Sequence, residues 1–238
     1  MKKLIILIIV ITSIKLFAQD NNWVSNDIYS SNVKASSPNI CFINANTGYT
    51  VLTFHPTSNY FSLFKTTNGG INWYYSFQEF TNTNHEGAPN IFFLNENIGF
   101  VTNHYFSGTT SCINLWKTTN AGVIWQSLNT IYSNTNGVGN SVSRIKFINN
   151  NTGFINTETQ ILKTTDGGNH FYVKLDLYDP NNIKKRRIND FKINDFGIIY
   201  TGGEVKVNEI NYPILYMSTD YGENFNAILD GGQNIKRE

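Results

Sequence analysis

Apolar residues in this chain come in short runs of strand-like alternation, separated by polar turns rich in Asn, Thr and Gly, and the spacing of runs and turns repeats. One stretch shows the unit clearly, with strands predicted over residues 143–148, 154–157, 160–164 and 171–175. Between its first two strands lies Asn149-Asn150-Asn151-Thr152-Gly153. The counterparts are Asn44-Ala45-Asn46-Thr47-Gly48, Asn95-Glu96-Asn97-Ile98-Gly99 and the more divergent Asn194-Asp195-Phe196-Gly197. A phenylalanine stands six residues before each glycine, at Phe42, Phe93, Phe147 and Phe191, and the glycines are 51, 54 and 44 residues apart.

The turn between the third and fourth strands of each unit reads Ser/Thr-x-Asp/Asn-x-Gly-x-x-Trp/Phe. Its four copies are Thr66, Asn68, Gly70 and Trp73; Thr118, Asn120, Gly122 and Trp125; Thr164, Asp166, Gly168 and Phe171; and Ser218, Asp220, Gly222 and Phe225. The hydroxyl and the carboxylate or amide accept hydrogen bonds from loop N–H groups that a strand-to-strand turn otherwise leaves open. Glycine supplies a positive φ, and the aromatic ring anchors the returning strand. These residue types serve the turn itself and require no substrate.

Four short strands per unit of ~40 to 50 residues, repeated, predict an all-β chain folded as a β-propeller of four-stranded antiparallel blades. The blades are expected at 38–80, 88–130, 140–178 and 187–230, preceded by a segment at 19–37 with a possible blade-closing strand and followed by a tail at 231–238. The fourth blade already has its own last strand, so an incomplete or open propeller is expected, with blade edges open to self-association.

Strand alternation puts the two recurring turns on one face and the remaining loops on the other. From turn glycine to box hydroxyl the separations are 18, 19, 11 and 21 residues, so the third unit has a bare hairpin and the other three carry extensions. Varying loops on a constant scaffold mark a candidate binding face. It includes His55, Tyr60, His104, Tyr105, Tyr132, the basic run Lys184-Lys185-Arg186-Arg187, and Tyr212.

Residues 1–18 read as a secretory leader, with Lys2 and Lys3 before an apolar run and Leu16-Phe17-Ala18 as the cleavage site. A secreted, periplasmic or cell-surface protein without a membrane span in its mature part is therefore expected. The whole chain has 18 Lys and Arg against 17 Asp and Glu; losing Lys2, Lys3 and Lys15 leaves 15 against 17, which argues against a nucleic-acid partner. Cys41 and Cys112 are read as small buried residues rather than a disulfide framework. The histidines His55, His85, His104 and His170 are dispersed and form no zinc pair. No metal and no cofactor is indicated.

The boxes resemble the Asp-box of BNR-repeat propellers, a group that includes sialidases, sortilin-type receptors and some glycoside hydrolases. The Lys-Thr-Thr-Asp/Asn-Gly-Gly wording and the upstream Asn-x-Gly-Tyr/Phe turn look most like the photosystem II assembly factor-like (Ycf48-like) group of secreted bacterial proteins. The resemblance covers residues 38–230. It departs in Asn68 and Asn120, in Ala121 and Tyr221 at a glycine position, and in showing four repeats where the photosynthetic relatives close as seven blades. It implies a non-catalytic, assembly-factor-like or adhesion-like scaffold, not an enzyme, that binds a protein or other macromolecule through its loop-rich face. The alternative is a sialidase-like glycoside hydrolase or a glycan-binding propeller. The arginines are Arg144, Arg186, Arg187 and Arg237, which assemble no sialidase triad, and no Arg-Ile-Pro motif is present. Glu86, Asp190, Glu204 and Glu209 are the carboxylates nearest the loop-rich face, with nothing in the sequence selecting a pair.

Overall fold

The computed structural model describes residues 34–55, 60–80, 89–107, 110–128, 131–133, 142, 144–179, 181, 185–231 and 233–234. The leader at 1–18, the candidate closing strand before residue 34, His85, Glu86, Lys184 and Arg237 lie outside the described residues. The strands of His55, Tyr60 and Tyr132 are described, but not those side chains.

The described residues form strands and turns without a helix, arranged in four antiparallel sheets. Blade one is β1 (Lys34–Phe42), β2 (Gly48–His55), β3 (Tyr60–Thr66) and β4 (Tyr74–Phe80). Blade two is β5 (Asn90–Phe93), β6 (Gly99–Ser107), β7 (Thr110–Thr118) and β8 (Gln126–Ser127), with β9 (Ile131–Ser133) also paired to β7. Blade three is β10 (Arg144–Phe147), β11 (Gly153–Asn156), β12 (Gln160–Thr164) and β13 (Tyr172–Asp176). Blade four is β14 (Lys185–Ile193), β15 (Ile199–Val207), β16 (Ile210–Ser218) and β17 (Asn226–Asp230), with the short β18 (Gln233–Asn234) at its edge. The chain is an all-β propeller of up-and-down blades.

Each box closes on its own side chains. Thr164 Oγ1 accepts from Gly168 N–H at 3.0 Å and donates to Asp166 Oδ1 at 2.9 Å, and Asp166 Oδ1 accepts from His170 N–H at 2.9 Å. The same bonds recur at Thr66, Thr118 and Ser218, with distances of 2.8–3.0 Å to the glycine N–H. Gly168 has φ +100°, and a Cβ there would sit 2.9 Å from Leu115, so glycine is demanded by both conformation and packing. Ala121 and Tyr221, where the other boxes have glycine, keep positive φ of 56° at a cost in backbone strain. The upstream turn is an Asx turn bonded to the box: Asn149 Oδ1 accepts from Thr152 N–H at 2.7 Å, and Asn151 O accepts from Gly167 N–H at 2.8 Å.

Three apolar cores join consecutive blades. Tyr49 of blade one stacks on Phe93 of blade two at 3.9 Å, and Phe100 of blade two stacks on Phe147 of blade three at 3.7 Å. Phe154 of blade three tilts against Phe191 of blade four at 6.4 Å. The phenylalanine before each turn glycine therefore receives the aromatic residue that follows the turn glycine one blade earlier. A lysine clasps each joint. Lys65, Lys117 and Lys163 lie over the rings of Tyr49, Phe100 and Phe154 at 5.3, 5.3 and 5.6 Å. Their Nζ atoms donate to the box carbonyls of Ala121, Gly167 and Tyr221 in the next blade at 2.9, 3.4 and 2.6 Å. Burial pushes the Tyr49 hydroxyl up to about 12, so it stays protonated and donates to the same Ala121 carbonyl at 2.7 Å. Among the described residues no core cluster joins blade four to blade one.

The third and fourth boxes carry titratable carboxylates, which the first two do not. For Asp166 burial raises the pKa, but hydrogen bonds from the His170 main chain, the His170 ring and the Thr164 hydroxyl together outweigh it and hold the carboxyl at about 2. Asp220 is held well below the usual range by the main chain and side chain of Asn224 and by Ser218. Both folded values lie below the unfolded value near 4, so the stabilisation is complete above that pH and is lost as pH falls through the folded values. Melting temperature should drop steadily below about pH 4. The Asp166→Asn/Asp220→Asn double variant, which copies the first two boxes, should show a flatter acid limb in calorimetry between pH 6 and 2. An unchanged limb would assign the acid sensitivity elsewhere.

Candidate functional site

Opposite the boxes, blades three and four differ in height. Strands β11 and β15 start in equivalent register, Gly153 opposite Thr164 and Ile199 opposite Ser218, but β11 has four residues and β15 nine. Blade four therefore rises roughly 17 Å further at 3.4 Å per residue. Thr157 makes blade three's turn tight: its N–H donates to Gln160 O at 2.9 Å, and its Oγ1 accepts from Gln160 N–H at 3.0 Å. Blade four instead continues to a two-residue hairpin turn at Asn208 and Glu209, both with positive φ (49° and 65°), as a primed turn requires.

A cavity of about 380 Å³ occupies this step. Leu177 (8% exposed) is its apolar lining, and Tyr178 adds an aromatic ring. Glu158 comes from the blade-three turn, Asp179 from the segment after β13, Lys185 and Arg187 from β14, and Glu204 and Lys206 from β15. Main-chain bonds fix the frame, with Ile188 N–H donating to Glu158 O and Leu177 N–H to Thr159 O at 2.9 Å. A Cβ on Gly203 would fall 1.8 Å from the Arg187 carbonyl oxygen, so glycine lets β15 close against β14 beneath the cavity.

The charges are ordered around Arg187. Its guanidinium lies 3.5 Å from Glu158 Oε1, and its residue pairs directly opposite Glu204 across β14 and β15. Arg187 from β14 thus has one carboxylate from blade three in ion-pair range and a second, from blade four, opposite it in the ladder. Arg186 also lines the cavity, with its guanidinium bound to Asp230 through both oxygens, at 2.9 and 3.2 Å, and this hydrogen bonding raises its already high pKa. Lys206 pairs with Glu209 at the hairpin tip, at 2.5 Å.

Several residues expected on the loop-rich face lie elsewhere. His104 is 1% exposed inside β6, because the blade-two extension is a continuation of the β6–β7 hairpin rather than a solvated loop. Tyr105 is half-buried opposite Cys112 in the same hairpin. Tyr212 is half-buried against the core between blades three and four. Of the basic run, the described residues Lys185, Arg186 and Arg187 all line the cavity, and Arg186 is held there by Asp230 of its own sheet. Asp190 is paired to Arg144 at 2.6 Å away from the cavity. Sequence reasoning passed over Glu158 and Asp179; the signal available was the bare hairpin of blade three beside the longest extension.

Among the described residues no cluster of His, Cys, Asp and Glu could hold a metal, and no helix is long and apolar enough to cross a membrane. Cys41 and Cys112 are free thiols, and burial pushes the Cys41 thiol up.

The fold and cavity place the chain among the β-propellers. No protein-family model matches it, and no curated protein matches it by sequence. Solved structures do. A mutant of the α-L-arabinofuranosidase Arb93A from Fusarium graminearum, in complex with an iminosugar inhibitor, aligns with a TM-score of 0.59 at 10% identity over 83% of this chain and 68% of that one. The GH93 α-L-arabinofuranosidase of Fusarium graminearum with arabinobiose aligns with a TM-score of 0.57 at 11% identity over 82% of this chain and 66% of that one. The chain thus spans about two thirds of the length of those enzymes, and the likeness is one of fold. It corrects the expectation of a non-catalytic, macromolecule-binding scaffold that is not an enzyme: these two solved structures of the same fold are glycoside hydrolases.

Proposed function

We propose that this chain is a carbohydrate-active propeller, a glycoside hydrolase that takes an oligosaccharide in the step between blades three and four. The observation that carries the reading is the pair Glu158 and Glu204, brought from two blades to the lining of one cavity together with Arg187. Hydrolysis of a glycosidic bond needs one carboxyl group to protonate the leaving oxygen and a second to attack the sugar or to activate water. Arg187 is placed to orient Glu158, Tyr178 offers a ring face for a sugar, and Lys185, Lys206 and Asp179 supply polar contacts for hydroxyls. The arabinobiose complex of the GH93 enzyme makes arabinose-containing oligosaccharides the first substrates to try.

The leader-like residues 1–18 support action outside the cytoplasm, on glycan in the periplasm, at the cell surface or in the medium. The box and upstream-turn wording supports descent from Asp-box repeat proteins; a nearer kinship with the Ycf48-like group rests on that wording alone.

The test is incubation of the purified chain with arabinobiose, longer arabino-oligosaccharides and a panel of other neutral and acidic oligosaccharides, with products separated by ion-exchange chromatography. Release of shorter sugars is expected for at least one. No release from any, together with no saturation-transfer signal on the sugars in NMR, would overturn the reading.

A further inference from the structure

The joint between blades is built three times, with a stacked aromatic pair in the first two and a tilted pair in the third, and its two halves stand uncovered at the ends of the array. At the blade-one end, Phe42 is the counterpart of Phe93 and Phe147, yet it is 44% exposed where those are 7% and 1%. It is already set for a partner. Phe42 meets Trp73 edge-to-face at 6.1 Å and 82°, as Phe93 meets Trp125 at 6.0 Å and 88° beneath blade one. Ile40, two residues earlier on the same side of β1, is 57% exposed, and Leu52 and Phe64 pack with Trp73 behind them. At the blade-four end, Tyr200 pairs with Met217 just as Tyr49 pairs with Lys65 and Phe154 with Lys163. Tyr200 is 39% exposed where Tyr49 and Phe154 are fully buried.

We propose that these two faces are the halves of one interface and that a second copy of this chain fills it, blade four of one copy against blade one of the other. Tyr200 of one copy would cover Phe42 of the next as Tyr49 covers Phe93. Its hydroxyl would donate to the Gly69 carbonyl, the counterpart of the Ala121 carbonyl that Tyr49 reaches at 2.7 Å. Met217 stands where the other blades carry the clasping lysine, so this joint is more apolar than the three within the chain. The contact is head-to-tail, which yields a ring or an open filament. Propeller rings hold about four to eight blades, so two copies of four complete the largest such ring and a third has no place.

Light scattering on the eluting peak of a size-exclusion column should give twice the chain mass at tens of micromolar. Ile40→Glu and Tyr200→Glu should each give the single-chain mass. Mixing these two variants should restore a two-chain species, because the blade-four face of the first and the blade-one face of the second are both intact. A single-chain mass for the unaltered protein, a dimer that survives either substitution, or no recovery on mixing would each overturn the proposal. Circular dichroism melting checks that each variant folds; one that does not is replaced by Ile40→Ser or Tyr200→Ser and read in the same way.

Discussion

Truncating Phe147 to alanine should lower the unfolding free energy by about 3–5 kcal/mol, the range for a large buried aromatic ring. Phe147 is 1% exposed, and its ring is parallel to that of Phe100 within 2° at 3.7 Å. The opposite face lies over its own blade: a Cβ on Gly153 would come within 2.6 Å of it. Removal therefore opens a void that neither the strand pair nor the neighbouring blade can fill by a rotamer change. Phe42→Ala removes the same side chain from the same motif at a half-exposed end, so it should cost distinctly less when measured at low protein concentration. Urea denaturation of both variants reads the difference, which is the contribution of blade-to-blade stacking. Equal losses would mean that the phenylalanine serves only its own blade.

That comparison also marks what the sequence could and could not convey. The phenylalanine six residues before each glycine and the hydroxyl, carboxylate and glycine of each box are local patterns, because their bonds close within a few residues. The clasp was invisible as such: Lys65, Lys117 and Lys163 read as part of the box wording, while their partners lie 50 to 58 residues away in the next blade. His104 was misplaced for the converse reason. A longer separation between turn and box reads as a loop, whereas residues there continue the ladder of β6 and β7 as far as Ser107 opposite Thr110. Glu158 escaped notice because the shortest turn drew least attention. Its importance comes from the step to the taller blade beside it, a relation between two repeats that neither shows alone. The cavity uses no triad of substrate-binding arginines; Arg187 holds Glu158 of the neighbouring blade, a contact 29 residues apart in sequence.

The second large effect concerns those carboxylates. On a substrate found by the oligosaccharide screen, Glu158→Gln and Glu204→Gln should each lower kcat by at least about 100-fold, the loss expected when a positioned proton-transfer group is removed. Each amide keeps the shape and hydrogen-bonding capacity of the side chain but not its proton chemistry, so KM should change little. The double variant should be scarcely slower than either single one, because residues that act as a unit are not additive. Glu209→Gln supplies the contrast. Glu209 is a carboxylate on the same hairpin, 88% exposed at the tip and paired only with Lys206, and its replacement should leave the rate within about twofold. Arg187→Gln separates positioning from chemistry: without the guanidinium Glu158 loses its ion-pair partner, so kcat should fall by less than in the glutamate variants. Azide added to the two single variants distinguishes their roles, since it can replace a missing carboxylate nucleophile or base but cannot protonate a leaving group. If hydrolysis is present and both single variants retain full rate, the active carboxylates lie outside the step between blades three and four, and the oligosaccharide is cleaved elsewhere on the propeller.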